Sequence, residues 1–246
     1  MGQGQYIGLT RSEAAQGRPD GPGGGVDSPR PEIAPPGAFC ASEPREVDLA
    51  EYAAARYPDL RRGMIITVER PWQLSKPGLS LLAWRIRARQ ADVLGLAPER
   101  VRVSHAMLYA GMGRCWSQDT EFGISSLASY RGCTLHFWDN PAWSRNDALR
   151  HRLMSDCGPH AGEKYAYGDI AGLWAWAISG HEYWLERLGD RAHWYCSEAV
   201  VNLVRQVEAL AGRYFLPGVL ENQAVPQLLH NQLAVRGWPC LALRIV

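Results

Sequence analysis

Neither sign of charge prevails in this sequence: 26 Lys and Arg stand against 25 Asp and Glu, a formal net charge of +1. The arginines are scattered among acids, so no basic stripe exists to hold a phosphate backbone, and nucleic acid is not an expected partner. Long hydrophobic runs are equally absent. No stretch reaches the about 18 consecutive apolar residues that span a bilayer, so a transmembrane segment is not expected. The start lacks the charged segment followed by an apolar one that marks a secretory signal. Gly2 opens it, but Tyr6 stands where a myristoylation signal requires Ser or Thr. The expectation is a cytoplasmic chain, reaching a cell wall or foreign membrane only through a dedicated secretion system or lysis.

The six cysteines, Cys40, Cys115, Cys133, Cys157, Cys196 and Cys240, include no C-x-x-C pair. That spacing argues against a compact disulfide framework and a four-cysteine zinc site; reduced thiols are expected, with no metal and no cofactor. No G-x-S-x-G element supports serine hydrolysis. His136, His151, His160, His181 and His230 stand in no motif. Nothing in the sequence defines an oligomeric state.

What is present starts with a change of composition. Residues 1–45 are rich in Gly, Pro, Ser, Gln and charge, including GRPDGPGGG. They hold too few apolar side chains to offset the entropy of ordering and read as a disordered tail. Residues 46–246 read as one domain with one core, in a chain that is 46% hydrophobic. Asp48 and Glu51 are spaced as a capping box for a short helix, and MIITV, residues 64–68, reads as a first strand. After Pro77, Leu79, Leu82, Ile86, Val93 and Leu94 recur at mainly helical spacing and predict an amphipathic helix ending before Gly95. Past Pro98 the period becomes two. Val101, Val103, His105, Met107 and Tyr109 then share a strand face, and Gly111 to Gly113 turns into a second strand over residues 115–118.

A further strand is predicted at CTLHFW, residues 133–138, and a helix after Pro141 with Ser144 as cap and Asp147 three residues on. An aromatic-rich stretch runs from Tyr165 to Trp194. The clearest helix opens at Cys196: Val200, Val201, Leu203, Val204, Val207 and Leu210 line one side, and Gly212 supplies a left-handed cap.

A thiol attacks carbonyls as thiolate, and the first turn of a helix favours that anion through its backbone N–H groups and the positive end of its dipole. Cys196 occupies such a place. A proton acceptor works best when held rigidly, and His105, mid-strand between Val103 and Met107, suits that role. For an arbitrary Cys and His, the default is a small buried side chain and a hydrogen-bonded core histidine.

Four segments shift that balance. LRRGMIITV, VSHAMLYAGMGRCW, GEKYAYGDI and WYCSEAVVNLV, in this order, resemble the signature blocks of the circularly permuted NlpC-like papain-fold hydrolases of the YaeF/YiiX type. The resemblance spans residues 58–230 and implies an α+β fold, papain-like and circularly permuted, with an antiparallel sheet packed against the nucleophile helix. It implies Cys196 as nucleophile and His105 as general base, with Tyr165 lining the substrate cleft. The family places a Glu or His on the strand after the base to orient the imidazole; here the segment reads Trp116, Ser117, Gln118, Asp119. Gln118 is the expected orienter, with Ser117 and Asp119 as rivals. Met64 stands where the family has an Asp after Gly, a departure that concerns the geometry of the turn.

The function expected from these residues is hydrolysis of an amide bond in a peptide or peptidoglycan-like conjugate through an acyl-enzyme on Cys196. A lipid substrate, with ester cleavage or acyl transfer by the same pair, is the first alternative, since tryptophans beside a site suit an acyl chain. A non-catalytic binding module on the same fold is the second.

Overall fold

Ile65, Ile66 and Val68, β-branched and nearly consecutive, favour an extended chain covered on both sides. They lie in the central strand of a seven-stranded sheet. The structure, a computed structural model, describes residues 43–48, 60–71, 77–119, 121–143, 146–164, 195–217 and 224–246. The strands are β1 (Arg45–Val47), β2 (Ile65–Glu69), β3 (Val103–Gly111), β4 (Arg114–Gln118), β5 (Phe122–Ser126), β6 (Thr134–Trp138) and β7 (Cys240–Ile245). Their order across the sheet is β1-β7-β6-β2-β3-β4-β5. All pairs are antiparallel except β1 with β7, which is parallel. The sheet is therefore mixed rather than wholly antiparallel, and the class is α+β. Among the described residues four helices accompany it: α1 (Pro77–Leu94), α2 (Asp147–Cys157), α3 (Cys196–Leu210) and α4 (Pro226–Val235).

The pleat of β2 divides the core. Ile65 joins Ala106, Leu108 and Trp138 in a cluster with the buried sides of α2, α3 and α4. Ile66 and Val68 join Met107, Tyr109, Leu135 and Phe137 in a second cluster, which includes Leu127 and Tyr130 from a 3-10 turn after β5. The predicted β2, α1, β3, β4, β6 and α3 are present within two residues of their expected ends. Two readings change. The helix after Pro141 starts at Asp147, with Asn146 at the cap position, while Pro141–Trp143 makes a 3-10 turn; Ser144 lies outside the described residues. Arg45–Val47, where the expected tail gives way to the expected domain, forms β1. Cys240 is disulfide-bonded, so the expectation of reduced thiols fails there; its partner lies outside the described residues, since Cys115, Cys133, Cys157 and Cys196 are free. The rest of the tail, the helix expected from Asp48 and the aromatic stretch from Tyr165 to Trp194 also lie outside them.

The strand that carries His105 is held at both ends. At its far end Met112 (φ 54) and Gly113 (φ 68) make a two-residue hairpin loop to β4, the left-handed pair of conformations that matches the twist of the strands. At its near end two buried amides interlock. Gln227 Oε1 accepts from Arg102 N (2.8 Å) and Val103 N (2.9 Å), Gln90 Nε2 donates to Val103 O (2.9 Å), and Gln227 N donates to Gln90 Oε1 (2.6 Å). Between these clamps lies a bulge: His105 pairs with Val68 but Val103 with Glu69, so Ser104 is an extra residue. The alternation expected from Val101 to Tyr109 therefore breaks just before His105, and Val103 faces the other side of the sheet. Bulges re-aim side chains in this way.

Before β2, a sulfur closes the turn. Met64 is buried and its Sδ accepts from Arg61 N at 3.2 Å, next to Gly63 at φ +82.

Helix α4 is tied to the sheet by a polar contact with a pH signature. Trp138 Nε1 donates to Thr67 Oγ1 at 2.9 Å, and Thr67 Oγ1 meets His230 Nδ1 at 2.9 Å. While its oxygen accepts from Trp138, the Thr67 hydroxyl can give its own proton to Nδ1 of a neutral His230. Burial, and secondarily the charge of His136, push His230 down to about 3 from an ordinary 6.5. A depressed histidine costs stability on the acid side: the unfolded chain takes up a proton below 6.5 that the native state refuses. Its contribution is intact above 6.5 and shrinks as pH falls toward 3, by about 2 kcal/mol at about pH 5. Urea unfolding of wild type and His230→Gln should show a smaller acid-side loss in the variant; equal losses would contradict this assignment.

Candidate active site

Cys196 is the first residue of α3 and is 4% exposed. Tyr195 caps the helix in extended conformation (φ −94, ψ 169) with no side-chain cap hydrogen bond, so no side chain at that position competes with the sulfur for the amides of the first turn. Helix α3 packs on β3 and α2 because its first nine residues, Cys196 to Val204, are all buried.

The sulfur meets His105. The two side chains are hydrogen-bonded, and the thiolate charge is felt at the ring. The other side of the imidazole is occupied: Nε2 lies 2.8 Å from Ser117 Oγ, 3.2 Å from Tyr130 OH and 3.5 Å from Asp119 Oδ1. That leaves Nδ1 for Cys196. Ser117 Oγ lies 3.0 Å from Tyr130 OH, and the phenol donates to Asp119 Oδ1 and Oδ2, each at 3.2 Å. The Tyr130 ring lies parallel to the imidazole, 17° between planes and 5.9 Å between centroids. When His105 is protonated, one direction satisfies every group: Nε2–H to Ser117, Ser117 to Tyr130, Tyr130 to the Asp119 carboxylate. Such a chain polarises along its length and ends on a negative charge.

Burial is the largest influence on His105 and disfavours the imidazolium. The Cys196 thiolate, through its charge and its hydrogen bond, together with the Asp119 carboxylate, outweighs it, while Arg70 acts against them; the net effect holds His105 above its ordinary 6.5. Burial, reinforced by the charge of Asp119, holds the Tyr130 phenol well above its usual range, so it remains a donor. Burial pushes Cys115 and Cys157 up to about 12, which leaves them inert as nucleophiles.

Gln118 is not the orienter. Its Nε2 donates to Glu163 O at 3.1 Å, and its Oε1 is buried without a partner among the described residues. In the β3–β4 register Met107 lies opposite Ser117, so two residues on, Asp119 comes level with His105, and Gln118 points to the other side of the sheet. Tyr130 was not anticipated at all. It arrives from the 3-10 turn Leu127–Tyr130 after β5, and no local pattern marks it. Tyr165 lies outside the described residues. Among the described residues no group of three His, Cys, Asp or Glu could hold a metal ion, and no helix is long and apolar enough to cross a membrane.

Comparisons with family models, with curated proteins and with solved structures return no match to this chain.

Proposed function

We propose that the chain is a cysteine hydrolase of circularly permuted papain-like architecture that cleaves an amide bond in a peptide or peptidoglycan-like conjugate. The observation that carries the reading is the hydrogen bond between Cys196 and His105, ninety-odd positions apart in sequence, at the mouth of a helix. In the proposed cycle the Cys196 thiolate adds to the substrate carbonyl carbon, and the developing oxyanion is met by the backbone N–H of Cys196. Collapse breaks the C–N bond as His105 Nδ1 gives its proton to the leaving nitrogen. A water molecule then loses a proton to Nδ1 and attacks the thioester carbonyl, releasing the acid and restoring the thiolate.

Ser117, Tyr130 and Asp119 act in this reading as positioning residues. They fix which ring nitrogen faces the sulfur and spread the imidazolium charge toward a carboxylate. Tyr130→Phe keeps the ring against His105 but removes the link to Asp119. One net hydrogen bond to a charged chain corresponds to a fall in kcat of about tenfold, with KM little changed; an unaltered kcat would remove Tyr130 from the network. The lipid alternative draws on tryptophans that lie outside the described residues, and the binding-module alternative draws on the lack of Glu or His near Gln118 and of Asp at Met64; in the present reading Ser117, Tyr130 and Asp119 take the orienter's part.

A peptide vinyl sulfone tests the proposal without a known substrate. The expected result is one adduct per chain, on Cys196. Equal labelling of Cys115 or Cys157, or none at Cys196, would refute it. Acyl groups from phospholipid on Cys196, with no peptide adduct, would move the activity to lipid esters.

A further inference from the structure

A cation stands beside the network. Arg70 follows β2 directly and is half-buried. Its guanidinium carbon lies 5.9 Å from the centroid of the Tyr130 ring, and its charge reaches His105. Among the described residues it makes no hydrogen bond and no ion pair. Other arginines of the fold are matched with acids: Arg102 with Glu69, Arg150 with Asp139, Arg152 with Asp156 and Arg213 with Glu208. The acid of the network, Asp119, is engaged by Tyr130 at 3.2 Å and His105 at 3.5 Å.

An unmatched guanidinium here works against the chemistry of the site. It repels the imidazolium on which the thiolate depends, and the low polarity of the surroundings strengthens that repulsion. A bound anion would cancel it. Stacked on Tyr130, the guanidinium is also restrained, and its planar fork of N–H donors matches the two oxygens of a carboxylate.

We propose that Arg70 forms an anion subsite beside the Cys196–His105 pair, which receives a carboxylate of a peptide-like substrate. The inference rests on the reading of the site as a thiol hydrolase. Its consequence is selectivity: substrates with a free carboxylate near the scissile amide are preferred over their amidated forms, and their binding completes the electrostatics of the pair.

Two alkylating reagents of similar size test this on the full chain. Iodoacetate carries a carboxylate and iodoacetamide does not. The ratio of their rates at Cys196, followed by mass spectrometry in wild type and Arg70→Gln, reports attraction by Arg70 apart from that by His105, which both proteins share. The ratio should fall about tenfold in the variant. A peptide ending in a free carboxylate should also slow the iodoacetamide reaction of wild type more than its C-terminal amide does, and this difference should vanish in Arg70→Gln. Fast iodoacetamide reaction with the same reagent ratio in both proteins would overturn the subsite and leave the hydrolase reading standing. Slow reaction of wild-type Cys196 with both reagents would overturn the hydrolase reading, and the subsite with it. Protection by glycerol phosphate but not by the peptide carboxylate would replace the carboxylate with a phosphate-bearing substrate.

Discussion

Replacing Cys196 with Ala is expected to lower kcat/KM for amide hydrolysis by about 10⁵-fold, leaving only what binding and oxyanion contacts supply. The size of the effect follows from the proposed covalent step: without the sulfur no acyl-enzyme forms, and the neighbouring groups cannot substitute for it. Folding should survive. Cys196 is a small side chain at a helix start, and truncating it by one atom should cost about 1 kcal/mol, far too little to imitate a loss of this magnitude. Cys115→Ala and Cys157→Ala are the matched controls, since burial holds both thiols up at about 12; neither should lower kcat. Retention of full activity by Cys196→Ala would dismiss the mechanism.

The second large effect concerns His105. His105→Ala should lower kcat/KM by about 10³-fold, the range of a positioned general acid and base, and should also change how rate depends on pH. In the proposed mechanism the productive form is the thiolate with the imidazolium. Because His105 is held above 6.5, the proton it needs for the leaving group persists above that value, and the alkaline limb of the profile lies higher than an ordinary histidine would place it. Asp119 contributes to that elevation, so Asp119→Asn should move the alkaline limb to lower pH. Without His105 the limb disappears, and the residual rate climbs with pH as the isolated thiol ionises. A profile in His105→Ala with the wild-type shape would assign the titration to another group.

The parts of the fold that could be read from the sequence are those with a strong period and marked ends. Helix α1 runs from Pro77 to Leu94 and ends before Gly95, which has φ +62; α3 has an unbroken apolar side, and β3 alternates from His105 to a glycine turn. The strands that escaped notice lack such marks. FGISS of β5 is short, small and half-exposed, REV of β1 holds a single apolar residue, and β7 and α4 lie within 25 residues of the C-terminus without a pattern that separates them.

The site divides along the same line. Cys196 and His105 stand out through their motifs, but their meeting depends on how α3 packs on β3, which no local pattern encodes. The choice of Gln118 over Asp119 follows from plain counting and fails because of an irregularity: with Gly111 opposite Arg114, an unbroken ladder sets position 120 across from His105 and Gln118 on the same side of the sheet, and only the register shift between Tyr109 and Gly111 brings Asp119 there and turns Gln118 away. Tyr130 could not be found by counting, because a 3-10 turn outside the hairpin delivers it. The bulge at Ser104 was equally hidden, since the extra residue is defined only by pairing with β2.

The most direct test of the central claim is the rate of iodoacetamide alkylation at Cys196 across pH. A thiolate held by an imidazolium reacts well at about pH 6, where an ordinary thiol with a pKa of about 8.5 is almost inert. Wild type should therefore show a plateau of reactivity extending into the acid range, and His105→Ala should lose it. A wild-type rate that rises with pH like that of a free cysteine, and is unchanged by loss of His105, would contradict the account.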